Sequence, residues 1–385
     1  MTNSPFRGDN RADNRADRKL KILVLCGGQS AEHEVSLASG KSIVDALDPS
    51  RYEIFAVAID PQGVMRWIQD LADLRRTTLE QPIDVRQFTT RVSLVRGAEG
   101  PELISINSDG GGGRSITSLD VAFPILHGPY GEDGTVQGYL KFIGLPFVGP
   151  SVLASAVGMD KDVTKRLLHQ AGIRIGKFVT LWKHEPTSHN FGSLTKELGT
   201  PFFLKPVNMG SSIGVFKIKD EVGFKSALTE AFQFDNKVIC EEFIDGREIE
   251  CAVIGNQKSE ASPPGEIIPQ HEFYSYEAKY LDAEGARLEL PAKLNSEISE
   301  QVRQVALKVY RTLNCEGLAR VDFFLRKKDS VLFVNEINTM PGFTKISMYP
   351  KMMELAGRSY SGLVDELVQL AIRRREDESR LKTGR

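Results

Sequence analysis

No apolar run in this 385-residue chain approaches the roughly eighteen residues of a membrane-spanning helix, and the N-terminus lacks the apolar stretch of a secretory signal. Cysteine is scarce. Cys26, Cys240, Cys251 and Cys315 lie far apart in apolar surroundings, and no C-x-x-C pair exists. That excludes the usual zinc spacings and argues against a disulfide framework, so the four read as reduced core residues of a cytoplasmic protein. Excess charge is missing as well: the formal net charge is -2, which disfavours non-specific binding to nucleic acid or to a membrane. A local basic pocket for a small anion stays open. The chain has no G-x-x-x-x-G-K-[ST] loop and no complete G-x-G-x-x-G fingerprint. No Ser–His or Cys–His pairing stands out as a covalent nucleophile, and His169, His184 and His189 fall on helix or loop surfaces.

What is present is an ordinary globular composition, 41% hydrophobic and 26% charged, long enough for two or three domains. Residues 1–19 hold the tandem repeat "DNRADNRADR", too polar to order itself. Structure is expected from "KLKILVLCGG", a buried strand with a glycine turn, followed by the helix "SLASGKSIVDAL". That order opens a parallel α/β unit. "YEIFAVAID" and "LDVAFPILHG" supply its second and third strands, and the charged tract 65–117 between them ends in "SDGGGGR", a flexible loop by composition. A boundary near Pro150 precedes "SAVGMDKDVTKRLLHQAG", read as one helix closed by Gly172. "PFFLKPVNMGSSIGVFKIKD" reads as strand, glycine-rich loop, strand, and "KVICEEFIDGREIECAVIG" as two further strands. The helix "ISEQVRQVALKVYRTL", paired strands "GLARVDFFLR" and "SVLFVNEIN", and the helix "YSGLVDELVQLAIRR" complete an α/β unit followed by two α+β units.

Several stretches carry oxygen or cationic groups where a bare core would not. In "VNEINTMPGFT" a strand ends on Glu336 and Asn338, two residues apart and so on one face. If "RVDFFL" pairs with it, Asp322 joins them, and two carboxylates with an amide suit a hard divalent cation. The alternative is solvated strand ends paired with Arg320. Lys205 follows an apolar run and precedes "NMGSSIG", whose backbone amides suit an anion; a plain hairpin with a solvated lysine fits equally. In "CEEFIDGREIE", Glu241, Glu242, Glu248 and Glu250 fit a half-exposed strand or an acid beside a nucleotide sugar. "GGQSAEHEVSLASG" places Glu32 and His33 where a cationic or zwitterionic ligand would meet a helix start. "HGPYGEDG" sets His127 among glycines and acids, as in a substrate-facing loop.

Taken in order, "GGQSAEHEVSL", "LHGPYGEDGTVQG", "GMDK", "KPVNMGSSIGV", "EEFIDGREIE", "YEAKY", "GLARVDFF" and "NEINTMPGFT" resemble the D-alanine–D-alanine ligases of the ATP-grasp superfamily, from about Lys21 to Leu370. The resemblance implies an ATP-grasp fold, α/β and α+β. A Rossmann-like N-terminal domain (20–149) would precede two α+β subdomains (150–243 and 244–375) that grip ATP, between a tail at 1–19 and a charged tail at 376–385. It implies that Lys161 and Lys205 hold ATP phosphates and that Ser211 and Ser212 belong to a loop over the γ-phosphate. It further implies Glu241 and Ile244 at adenine, Glu248 at the ribose, and Asp322, Glu336 and Asn338 on two Mg2+ ions, with Mn2+ as a substitute. Glu32 is similar to the acid that anchors the first D-alanine's ammonium, with His127 nearby; Lys279 and Tyr280 resemble a closing loop. Arg320 and the Gly342 amide resemble oxyanion donors, and Ser347 with Met348 would meet the second D-alanine.

The implied reaction phosphorylates one D-alanine and lets the amine of another displace phosphate, for peptidoglycan precursor synthesis. A cytoplasmic homodimer is implied too, with ATP and D-alanine as its ligands and no nucleic acid or membrane partner. Competing readings are a D-alanine–D-lactate ligase, another ATP-grasp carboxylate–amine ligase, or a non-catalytic ATP-binding protein. Tyr280 favours the dipeptide enzyme, and the lysines with the metal set disfavour the last. Two departures from some relatives, Met340 for Ser and Lys345 for His, lie where second-substrate recognition would be tuned.

Overall fold

The computed structural model describes residues 18–107, 112–185, 190–269 and 286–382. β1 (Leu20–Gly27) is fully buried from Ile22 to Cys26, as an unbroken apolar run demands, and it lies inside a sheet ordered β3-β2-β1-β7. β2 (Tyr52–Ile59) and β7 (Val121–Pro124) flank it in parallel, and β3 (Met65–Ile68) adds an antiparallel edge. α1 (His33–Ala46) packs on β1, with α2 (Leu71–Arg75) beside it and α3 (Thr135–Ile143) following β7. The tract 65–117 is more than a charged insertion. It contains a separate antiparallel sheet of β4 (Val92–Arg96), β5 (Pro101–Ile106) and β6 (Gly113–Ser118). Its alternation of burial, with Val92, Leu94 and Leu103 buried between less buried neighbours, is the period-two pattern that overall charge hides.

The expected single helix through "GMDK" is two: α4 (Val152–Met159) and α5 (Lys161–Gln170). Asp160 breaks them apart, leaving helical geometry at φ -81°, ψ 100° while its side chain accepts the Val163 N–H. The break puts Lys161 at the first position of α5. β8 (Phe178–Trp182), α6 (Phe191–Leu198), β9 (Phe202–Pro206), β10 (Phe216–Ile218), α7 (Glu221–Phe234) and β11 (Lys237–Glu242) build a four-stranded sheet ordered β10-β9-β11-β8. β9 and β10 pair antiparallel around the glycine-rich loop, as expected.

The next strand, β12 (Gly246–Gly255), belongs to a different sheet, β15-β14-β12-β16-β17, with β13 (Ser259–Ala261) off its path. β14 (Gly265–Pro269), β15 (Ala286–Glu289), α8 (Ser296–Thr312), β16 (Gly317–Arg326) and β17 (Leu332–Asn338) complete that unit, and α9 (Met348–Leu355) and α10 (Tyr360–Ser379) close the chain. All four cysteines are free and buried, and burial pushes the thiols of Cys26, Cys251 and Cys315 up to about 12, so they are inert.

One core spans the two ends of the chain. Leu363, Leu367 and Val368 of α10 share a cluster with Ile22, Val24 and Phe123 of the first sheet. Arg374 bolts this junction. Its buried guanidinium donates to the carbonyls of Phe147 (2.7 Å) and Gly149 (2.6 Å) and stacks 4.6 Å over the Phe147 ring. Replacing Arg374 by Met strands both carbonyls and is expected to cost about 2 kcal/mol, read as a lower urea midpoint at unchanged slope. A midpoint equal to wild type would refute the bolt.

Candidate active site

The β15-β14-β12-β16-β17 sheet places acids side by side. Glu250 of β12 pairs in register with Asp322 of β16, which pairs with Glu336 of β17. Directly opposed residues share a face, so three carboxylates form a row across three strands, and like charges so placed repel. Cations resolve the repulsion. Arg320, on the same face two residues before Asp322, donates to both Asp322 oxygens at 2.7 Å and lies 3.1 Å from Glu250. Burial works against the Arg320 charge, but Asp322 and Glu250 outweigh it and hold the guanidinium well above its usual range. Asn338 pairs with Arg320 across the strands, and its Nδ2 donates to Asp322 Oδ2 at 2.8 Å. An irregularity between Asp322 and Phe323 leaves Asn335 as an extra residue, a bulge beside the acid row with regular pairing on either side. Among the described residues no three acidic, His or Cys side chains converge on one point. The expected set of two carboxylates and an Asn amide has fewer than three such side chains, so this absence does not bear on it.

Three lysines lie nearby, Lys161 and Lys165 on α5 and Lys205 on β9. The Lys161 ammonium donates to Met209 O (2.7 Å), at the base of the glycine-rich loop, and lies 3.9 Å from Glu336. Burial pulls it below the ordinary lysine range while Glu336 opposes. Lys205 meets Glu241 at 2.6 Å, and Lys165 meets the other oxygen of Glu241 at 2.8 Å. Burial alone would neutralise the Glu241 carboxyl, yet Lys165 and Lys205 hold it down at about 2. Glu248 lies close enough to help raise Lys205, whereas Ile244 sits against Gly176. Lys165, one helical turn after Lys161, carries no sequence signal except that i,i+4 spacing.

On the opposite side the loop after β1 brings in Glu32, which is buried. It accepts a hydrogen bond from the Ser211 hydroxyl, so the glycine-rich loop closes onto the first unit. Ser211 and Ser212 both adopt left-handed backbone, at φ 50° and 60°, a cost of about 1 kcal/mol or more each. A side chain at Gly128, where φ is 72°, would put a Cβ 2.9 Å from Glu32 Oε2. His127 differs from expectation: both ring nitrogens are engaged, Nδ1 with Met340 O (3.0 Å) and Nε2 with Ser39 Oγ (3.2 Å). Burial lowers its pKa, consistent with a neutral ring that donates from Nδ1. Glu132, which the sequence gave no reason to separate from its acidic neighbours, accepts from Gly128 N (2.7 Å) and Met340 N (3.0 Å). Burial, and next Glu32, push its carboxyl up to about 8.

The turn after β17 carries the rest. The Met340 side chain is buried in the core beside Gly149 and Leu318, so it does not tune a ligand by contact, contrary to expectation; Lys345 is exposed. Gly342 lies next to Ser347, whose hydroxyl bonds Thr344. Met348 starts α9 with its side chain buried, leaving its backbone N–H as the group at the helix start. Lys279 and Tyr280 lie outside the described residues.

Residues 21–150 match the family model for the D-ala D-ala ligase N-terminus and residues 167–369 that for the C-terminus. The chain is 48% identical to a D-alanine–D-alanine ligase of Oceanobacillus iheyensis, over 95% of this chain and 99% of that one. It is 46% identical to D-alanine–D-alanine ligase A of Escherichia coli, over 95% and 99%. The D-alanine–D-alanine ligase of Coxiella burnetii has a similar structure, with a TM-score of 0.81 at 37% identity over 94% of this chain and 96% of that one. A D-Ala:D-Ser ligase from Enterococcus faecalis follows at 0.80 and 32%, over 92% and 100%.

Proposed function

Because the chain belongs to the D-alanine–D-alanine ligase family, we propose that it joins two D-alanines at the expense of ATP, through a D-alanyl phosphate, to supply peptidoglycan precursors. The observation that carries this reading is the acid row Glu250–Asp322–Glu336 near Lys161 and Lys205, a charge pattern that fits cation-loaded polyphosphate. The family implies a divalent ion; Asp322, Glu336 and Asn338 would hold it, as two Mg2+ or Mn2+, and it would neutralise charge on the ATP phosphates. Lys161 and Lys205 bind those phosphates, and the amides of the Ser211–Ser212 loop cover the terminal one. Glu241 and Ile244 contact adenine, and Glu248 accepts from the ribose.

Glu32 anchors the ammonium of the first D-alanine, whose carboxylate oxygen attacks the γ-phosphorus as ADP leaves. The amine of the second D-alanine then attacks the acyl carbonyl, and phosphate departs with its bridging electron pair. Arg320 and the Gly342 N–H stabilise the oxyanion of that step. The Ser347 hydroxyl and the Met348 N–H at the start of α9 receive the second carboxylate. His127, with both nitrogens engaged by protein, orients the loop instead of binding substrate. Water must be kept from the acyl phosphate, which it would hydrolyse. No helix among the described residues is long and apolar enough to cross a membrane. We place the enzyme in the cytoplasm, as a homodimer.

The deciding experiment supplies ATP and Mg2+ with D-alanine, L-alanine, D-serine or D-lactate, and measures phosphate release and products. D-alanine alone is expected to release phosphate and give D-alanyl-D-alanine. Predominant ester with D-lactate, or equal response to L-alanine, overturns the assignment.

A further inference from the structure

The turn that carries the Gly342 amide is not set by its own strand. After Asn338 the chain leaves β17 and reaches Met340, whose backbone is held on both sides. Both of its polar atoms are gripped from the first unit: Glu132 accepts the Met340 N–H at 3.0 Å, and His127 Nδ1 donates to the Met340 carbonyl at 3.0 Å. The grip is itself anchored. The second oxygen of Glu132 accepts the Gly128 N–H at 2.7 Å, and His127 Nε2 meets the Ser39 hydroxyl of α1 at 3.2 Å. The Met340 side chain, buried in the core, prevents the peptide from sliding.

The Met340 N–H belongs to the Thr339–Met340 peptide and its carbonyl to the Met340–Pro341 peptide, so the two bonds restrain the planar groups on both sides of the Met340 Cα, and the second leads directly into the chain that reaches Gly342 two residues later. Pro341, with φ fixed by its ring, transmits that restraint with little play. From this geometry we propose that Glu132 is a positioning residue for the second half of the reaction: with His127 it fixes the two peptide groups that flank Met340 and so aims the Gly342 N–H at the oxyanion. The acid reaches no reacting atom itself. Its hydrogen bonds go to Gly128 and Met340, not to Lys161, Lys205 or Glu241, and its charge reaches Lys161 only after burial, Glu336, Lys205 and Glu241 in weight, so its larger influence is expected on amine attack. The proposal rests on the ligase reading given above.

Glu132→Gln keeps the volume but turns one arm into a donor, which faces a backbone N–H it cannot satisfy. Rapid-quench measurement of ADP with saturating D-alanine separates the two half-reactions. The variant is expected to show a burst of about one ADP per site at a rate within about threefold of the wild-type phosphoryl step. A steady rate about 10- to 100-fold below wild type should follow, with KM for ATP within about twofold, since misplacing a single oxyanion donor has effects of that order. Glu132→Asp, an acceptor too short to reach both amides, should fall between. Wild-type steady turnover in Glu132→Gln overturns the proposal, and so does a burst slowed as much as the steady rate. Failure of wild type itself to form ADP with D-alanine would instead defeat the ligase reading.

Discussion

Glu336→Gln is expected to lower turnover at least about a hundredfold while the melting temperature stays within about two degrees of wild type. The catalytic part follows from the strand register. Asp322 and Glu336 are direct cross-strand neighbours, and in the metal role proposed above each supplies an anionic oxygen, since Asn338 is neutral. A Gln keeps one oxygen at Glu336 but removes the charge, and the electrostatic contribution of a bound divalent ion to phosphoryl transfer is worth several kcal/mol. The stability part follows from the same row. Glu336 is half-buried and lies at the 3.9 Å limit of an ion pair with Lys161, so that pair contributes little to folding. Losing one acid from a row of three also relieves repulsion. Calorimetric titration of ATP against rising Mg2+ should show affinity that needs far more ion than wild type requires. Unchanged activity at limiting Mg2+ would remove Glu336 from the metal set.

The site was legible in the sequence where function lies within one short stretch, and illegible where it depends on partners far along the chain. Glu336 and Asn338 announce themselves because strand side chains alternate, so an acid and an amide two residues apart must share a face. Asp322 followed from the pairing of two apolar runs, and the structure puts it opposite Glu336. Glu132 and Lys165 could not be singled out this way. Each is one charged residue among several, and its partners, Met340 for Glu132 and Glu241 for Lys165, are more than seventy residues away in sequence. His127 was noticed for the right reason, an imidazole in a glycine-rich loop, but its ring is spent on Ser39 and Met340. The fold shows the same division. β1 reads directly from an apolar run, whereas the β4–β6 sheet was masked by charge on its exposed face, and the break at Asp160 by an otherwise continuous helical pattern. Met340 was misjudged because its position in the turn suggested contact with a ligand, while its side chain points to Gly149.

Glu241→Gln should be the most destabilising change in the site, costing about 3–5 kcal/mol, because it leaves two buried ammonium groups facing a neutral amide. Lys165 is almost wholly enclosed and lies 2.8 Å from Glu241; Lys205 lies 2.6 Å away on the other oxygen. The pair of lysines is tolerable only while the carboxylate between them is ionised. The same arrangement fixes the acid response of the wild type. Burial works to raise the Glu241 carboxyl, but the lysines outweigh it and bring it to about 2, against an ordinary glutamate value of 4.5. A carboxyl whose folded-state pKa is depressed gives its full stabilisation above the unfolded value and loses it as pH falls toward the folded one. Glu241 therefore contributes fully at neutral pH, and the contribution drains away between pH 4.5 and about 2, in total about 3 kcal/mol. Denaturant unfolding of wild type and Glu241→Gln across that range tests both statements. The variant should begin less stable at neutral pH and lose correspondingly less on acidification, so that the two curves converge near pH 2. Parallel curves, offset by a constant amount, would mean that Glu241 is not the ionised partner of these lysines.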